Sequence, residues 1–218
     1  MCFSSEASIR SLVTGLLGSF LCVSLGTVTD KIIGYFLGFV SLMQGIEYLL
    51  WQHQKCDNYN RVISVLGMVL NHLQPFILGI VVLLLNPKTP NYKLIVGLLV
   101  FYLIVILPYS YQFIKMKGTC TIKSENHDHL VWKWNGMPFA RFRYAVFLFV
   151  LSAILILGVP NKVMGVLFAA CGILMYSSSL VFYPREVAGA LWCYYTAFIP
   201  IFYFLFRKLI PFSNNLVK

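Results

Sequence analysis

Met43-Gln44-Gly45-Ile46-Glu47-Tyr48-Leu49-Leu50-Trp51-Gln52-His53 reads MQGIEYLLWQH. It closes an apolar run that begins near Ile32, and it places a carboxylate inside that run. A run of about 20 mostly apolar residues is long enough to span a bilayer as a helix. Inside a span a charged side chain is costly, so it faces protein or water rather than lipid. Glu47 therefore asks two things of the rest of the chain: whether there are more spans, and what the acid meets among them.

The composition answers the first. The chain has 218 residues, 59% of them hydrophobic and only 11% charged. A soluble domain carries roughly 25% charged residues. Mean hydropathy is +0.79. No single aqueous core could bury this much apolar side chain. Seven runs qualify as spans, over 9–28, 32–51, 62–85, 93–113, 140–158, 162–182 and 187–206. Backbone polar groups in lipid must bond within their own segment, so each run reads as a helix. The fold class is all-α, a polytopic membrane protein of seven transmembrane helices in one domain over 1–218. Leu12 to Val28 carries only Arg10 ahead of it, less charge than a cleaved signal usually has, so it reads as a retained first helix.

The fifth and sixth runs are parted only by Val159-Pro160-Asn161, a tight turn between antiparallel neighbours. The one long connection is the surface loop 114–139. Thr119–Lys123 and Leu130–Trp134 are β-prone within it. The expected element is a small interfacial β-hairpin with Trp132 and Trp134 at headgroup level, where membrane aromatics collect.

A net charge of +10 is compatible at first with nucleic acid. However, the 17 Lys and Arg lie in short gaps between apolar runs, not on one basic face, so no nucleic-acid partner is expected. Their partner is the lipid bilayer. Seven spans put Arg10, Lys55, Arg61, Lys115, Lys117, Lys123, Lys133, Arg141, Arg143 and Arg185 on one side. Lys31, Lys88, Lys93, Lys162, Arg207, Lys208 and Lys218 fall on the other. Ten against seven favours a cytoplasmic N-terminus by the positive-inside rule. Of the six cysteines, Cys22, Cys171 and Cys193 read as packing residues. Cys56 and Cys120 lie in polar loops on one side and could pair if that side is oxidising, which would argue for the opposite orientation.

The second question has a candidate answer in the third run. Gln44, Glu47 and Trp51 share one helix face at steps of three and four. Ser64, Gly67, Asn71 and Gln74 form a stripe on the next run, with His72 beside it. A short connection makes the two helices antiparallel neighbours. Folding about Cys56 brings Asn71 within a turn of Gln44 and sets Glu47 opposite Gly67. Pro75 then frees the carbonyl of Asn71. Pro200 does the same for Thr196, close to Trp192. The expected ligand-binding set is Gln44, Glu47, Trp51, Asn71, His72, Gln74, Trp192 and Thr196. Glu47 reads as an ion, proton or ligand site, as protonated packing glue bonded to Asn71, or as a shallow interfacial residue.

No catalytic residue, metal ligand set or cofactor motif stands out. Glu125, His127, Asp128 and His129 could hold a metal but read more simply as a solvated turn. Three functions fit. The first is a transporter or channel for a small solute or ion. The second is a scaffold, sensor or receptor-like protein that meets a protein partner through loop 114–139. The third is an intramembrane lipid enzyme with Glu47 and His72 as acid and base, which lacks a recognisable nucleophile.

The motifs Gln44-x-x-Glu47-x-x-Leu50-Trp51, Cys56 with Asn60, Asn71-His72-Leu73-Gln74-Pro75, Trp132-Lys133-Trp134 and Leu191-Trp192-Cys193-Tyr194-Tyr195 span most of the chain. Together they resemble an uncharacterised family of small polytopic membrane proteins of large DNA viruses, algae and some bacteria. The resemblance implies a seven-helix integral membrane protein and supplies no activity.

Overall fold

The computed structural model describes residues 4–125, 129–182 and 185–209, apart from the side chains of 185, 186 and 188–190. Seven helices dominate: α1 Ser5–Ser24, α2 Val28–Gln52, α3 Asn58–Leu85, α4 Tyr92–Lys115, α5 Ala140–Gly158, α6 Lys162–Phe182 and α7 Arg185–Leu209. The first six are long and apolar enough to cross a membrane. The run expected as a seventh span is a 25-residue helix packed against α1, α2 and α6. The chain is thus an all-helical bundle of the multi-pass membrane kind, with six helices that meet the requirement for a span.

Polar residues set the starts of the first three helices. Ser4 accepts from the Ala7 amide at 3.2 Å and opens α1. Thr27 and Asp30 form a reciprocal capping box, so α2 begins at Val28, four residues before the apolar run suggests. Asp57 accepts from the Asn60 amide at 3.2 Å and opens α3. Hydropathy alone misses these turns because their caps are polar.

α1 lies in a groove between α2 and α7. Glycines make that possible, since lipid offers no hydrophobic drive and backbones must approach closely. A methyl on Gly15 would come within 2.2 Å of Ser41 Oγ and 3.0 Å of the Ala197 carbonyl. One on Gly18 would meet the Ile201 backbone nitrogen at 2.6 Å. α3 packs on α2, α4 and α5, and α6 bridges α5 to α7.

The long connection forms the expected hairpin, but its two tryptophans are buried among the helices instead of lying exposed at its surface. Its hairpin is two residues per strand, β1 Ile122–Lys123 against β2 Leu130–Val131. The tryptophans follow it into a 3-10 turn, Lys133–Gly136, and both are 1% exposed. Trp132 fills the space over Gly67 of α3, and Trp134 sets its edge on Phe113 of α4 with ring centres 5.6 Å apart. The physical reason is that an indole and the backbone of the loop find hydrogen-bond partners inside. Trp134 Nε1 donates to the Tyr144 hydroxyl at 3.1 Å. The Thr121 amide donates to Asn60 Oδ1 at 2.9 Å, and Asn60 Nδ2 donates back to the Thr121 carbonyl at 3.0 Å. A disulfide between Cys56 and Cys120 ties the α2–α3 turn to this plug.

Candidate functional site

The buried face of α2 carries Asp30, Ile33, Leu37, Ser41, Gln44 and Glu47 at helical spacing. At one end Gln44 Nε2 donates to Glu47 Oε2 at 2.9 Å. Ser11 of α1 donates its hydroxyl to Gln44 Oε1 at 2.7 Å. Ser11, Gln44 and Glu47 have no exposed surface at all. The acid is therefore held in a chain of hydroxyl, amide and carboxylate built by two helices.

Polar groups continue from there along α1. Ser41 packs against Gly15, and Ser19 lies beside Gly38 and Gly34. The seam ends in a second buried acid that the sequence reading did not single out. Asp30 accepts from the Tyr203 hydroxyl at 2.6 Å and the Thr27 hydroxyl at 2.5 Å. The Arg207 guanidinium lies 3.3 Å from both of its oxygens. Both partners of this α2–α7 ion pair are buried. A Thr-x-x-Asp box at one helix start and an arginine in the last turn of a helix ending on that side were the available signals.

The expected ligand set divides. Gln44 and Glu47 stay together, joined by Ser11 rather than by Asn71. Asn71 Nδ2 donates to the Tyr144 hydroxyl at 2.9 Å. That hydroxyl also meets Asn135 Oδ1 and Trp134 Nε1, and the Tyr109 hydroxyl donates to the Trp134 carbonyl. The Arg143 guanidinium lies over the Tyr109 ring, 4.4 Å from its centre. His72 turns to α4, where Nδ1 and the Ser110 hydroxyl share a 2.8 Å hydrogen bond. The Tyr102 hydroxyl donates to the His72 carbonyl at 2.8 Å, in the turn loosened by Pro75. Glu47 and His72 thus bond into different helix interfaces, which leaves an acid–base pair without its geometry.

Gln74 is fully buried beside the Cys193 thiol of α7, and neither amide atom meets a nitrogen or oxygen partner among the described residues. Trp192 and Thr196 border a cavity of about 20 Å³ lined mainly by Ile33, Val40, Leu155 and Phe168. A space that size would take one water, but apolar walls of this kind stay dry. The Thr196 hydroxyl instead donates back to the Trp192 carbonyl at 2.9 Å. Trp51 is half-buried at the end of α2, its indole nitrogen covered and without a hydrogen bond among the described residues.

Outside the spans, Asp57 bridges the α2–α3 turn. Its carboxylate is held below the ordinary value of 3.8 by the Asn60 amide and by His53, whose Nε2 lies 2.8 Å away. Among the described residues no three His, Cys, Asp or Glu side chains gather to hold a metal. His127 and Asp128 lie outside the described residues. Compared with known families, curated proteins and solved structures, the chain has no match in any of the three.

Proposed function

We propose that this integral membrane protein is a transporter or channel for a proton or small cation, with Glu47 as its charge-carrying group. One observation carries the reading: a carboxylate with no exposed surface, inside a membrane-type bundle, linked through Gln44 and Ser11 to a seam of buried hydroxyls. An acid at that depth is expensive and is kept for what it binds or passes on. The site moves from the expected α2–α3 pair to the α1–α2 interface. It is occluded, because Gly15, Gly18 and Gly34 bring α1 too close to its neighbours for a water file. Passage therefore requires α1 to shift against α2 and α7.

The experiment is proton and cation flux in liposomes, comparing wild type with Glu47→Gln at matched folded protein. Flux that falls to the empty-vesicle level in the variant is the expected result. Flux that persists in Glu47→Gln, or none in either protein, overturns the proposal. A scaffold or receptor-like role is the second reading, supported by the plug that the disulfide and Asn60 knit into the bundle. A partner retained by wild type and lost on deletion of 119–134 would favour it.

We also infer the orientation. A disulfide persists on an oxidising side, so the α2–α3 turn and loop 114–139 face away from the cytosol. That places the start of α1 on the same side, against the ten-to-seven count of basic residues. The count is weakened by Arg61 and Arg143, which bond the Ile114 and Pro138 carbonyls and so serve structural ends.

A further inference from the structure

The α5–α6 hairpin is tight at its turn and open at its far end. At the turn a methyl on Gly165 would meet the Leu155 carbonyl at 2.5 Å. The Lys162 ammonium caps α5 there, 2.9 Å from the Leu157 carbonyl and 3.3 Å from that of Val159. Near the start of α5 and the end of α6 the helices part, leaving a cleft of about 610 Å³. Pockets for small molecules typically hold 300–1,000 Å³.

The lining has two characters. Arg141 and Ser177 are exposed, while Asn135 and the Tyr144 hydroxyl are buried. The Tyr144 ring stacks on Tyr176 with centres 5.5 Å apart. Leu148 and Leu180 supply apolar wall. Among the described residues no acidic side chain lines the cleft. Both helices are of membrane-spanning length and apolarity, and the cleft lies along the residues of α5 from Ala140 to Leu148, at one end of the span. The end of a spanning helix is the level at which headgroups meet acyl chains. A guanidinium and a hydroxyl there, above a leucine wall, complement a phosphate with a hydrocarbon tail.

We propose that the α5–α6 cleft binds one anionic phospholipid. Arg141 and the Ser177 hydroxyl hold the phosphate, and the upper acyl chain lies along Leu148 and Leu180. The site is separate from Glu47 and stands or falls independently of transport.

The test is native mass spectrometry of the full chain with phosphatidylglycerol or phosphatidylcholine added in equal amounts. Wild type should retain phosphatidylglycerol about fivefold better, the scale of one basic side chain near a lipid phosphate. Arg141→Gln should erase the preference. Ala145→Leu, which narrows the cleft, should lower retention of both lipids. Lys115→Gln, an exposed cation at the end of α4, should change neither. Equal retention of the two lipids by wild type overturns the proposal. So does a loss in Lys115→Gln as large as in Arg141→Gln, which marks general surface attraction. Displacement of bound lipid by millimolar inorganic phosphate would reassign the cleft to soluble phosphate and overturn the lipid assignment. Should Ala145→Leu lack the Cys56–Cys120 bond, the smaller Ala145→Val replaces it as the cleft-narrowing variant.

Discussion

A single methyl group tests how α1 is held. At Gly18 the atoms in the way are backbone of Pro200 and Ile201, which cannot swing aside. Gly18→Ala should destabilise the protein by about 1–3 kcal/mol, the usual scale of overpacking. A methyl added at Gly97 on α4 would meet nothing within 4 Å among the described residues, so Gly97→Ala should leave thermal stability in detergent unchanged or slightly higher. Equal losses in both variants would mean that α1 is not seated through Gly18. Asp57 gives a pH test. Its folded value is depressed, so its contribution is complete above the ordinary carboxylate value of 3.8 and fades as pH falls through the folded value below it. Wild type should therefore lose more stability than Asp57→Asn on acidification below about pH 4, read as the midpoint of thermal unfolding. The polar residues were unevenly legible. Gln44 and Glu47 pair within one helix, so spacing alone found them. Asn71, His72 and Gln74 point about 100° apart per residue step around α3. That helix is enclosed by α2, α4, α5 and the tryptophan plug, and nothing in a lone sequence says which neighbour each side chain meets.

The plug, not any helix, departs furthest from what its own residues suggest. Alternating tryptophans in a polar loop have the pattern of interfacial aromatics, and the same pattern serves a loop that turns inward. What decided the outcome lies far away in sequence: Gly67 leaves room for Trp132, Asn60 pairs with Thr121, and Cys56 reaches Cys120. Releasing one tie should loosen the rest. Cys120→Ser should shift tryptophan emission to longer wavelength and raise quenching by an aqueous quencher, as Trp132 and Trp134 gain water. An unchanged spectrum would mean that packing against Gly67 and Phe113 holds the plug alone. Helix identity, by contrast, was readable throughout, because each long apolar run folds as one helix, and six of the seven are long and apolar enough for a span among the described residues. The starts of α4, α5 and α6 fall within one residue of their apolar runs, whereas that of α2 was readable only from its Thr27–Asp30 box.

At the scale of the whole molecule the inferred orientation makes a direct prediction. A membrane-impermeant maleimide applied to intact cells should label Lys117→Cys and spare Lys88→Cys, since the two lie at opposite ends of α4. The reverse pattern would place the disulfide on the reducing side and refute the orientation. The ion pair at the other face has a consequence for how the protein is made. Asp30 and Arg207 are 177 positions apart, so at about 5–20 residues per second the ribosome separates their emergence by roughly ten to thirty-five seconds. Throughout that interval α2 sits in the translocation machinery or the bilayer with an acid whose counter-charge has not yet been synthesised. Until α7 arrives Asp30 has only its local Thr27 bond, so the native contact between α2 and α7 forms after the last helix has been made.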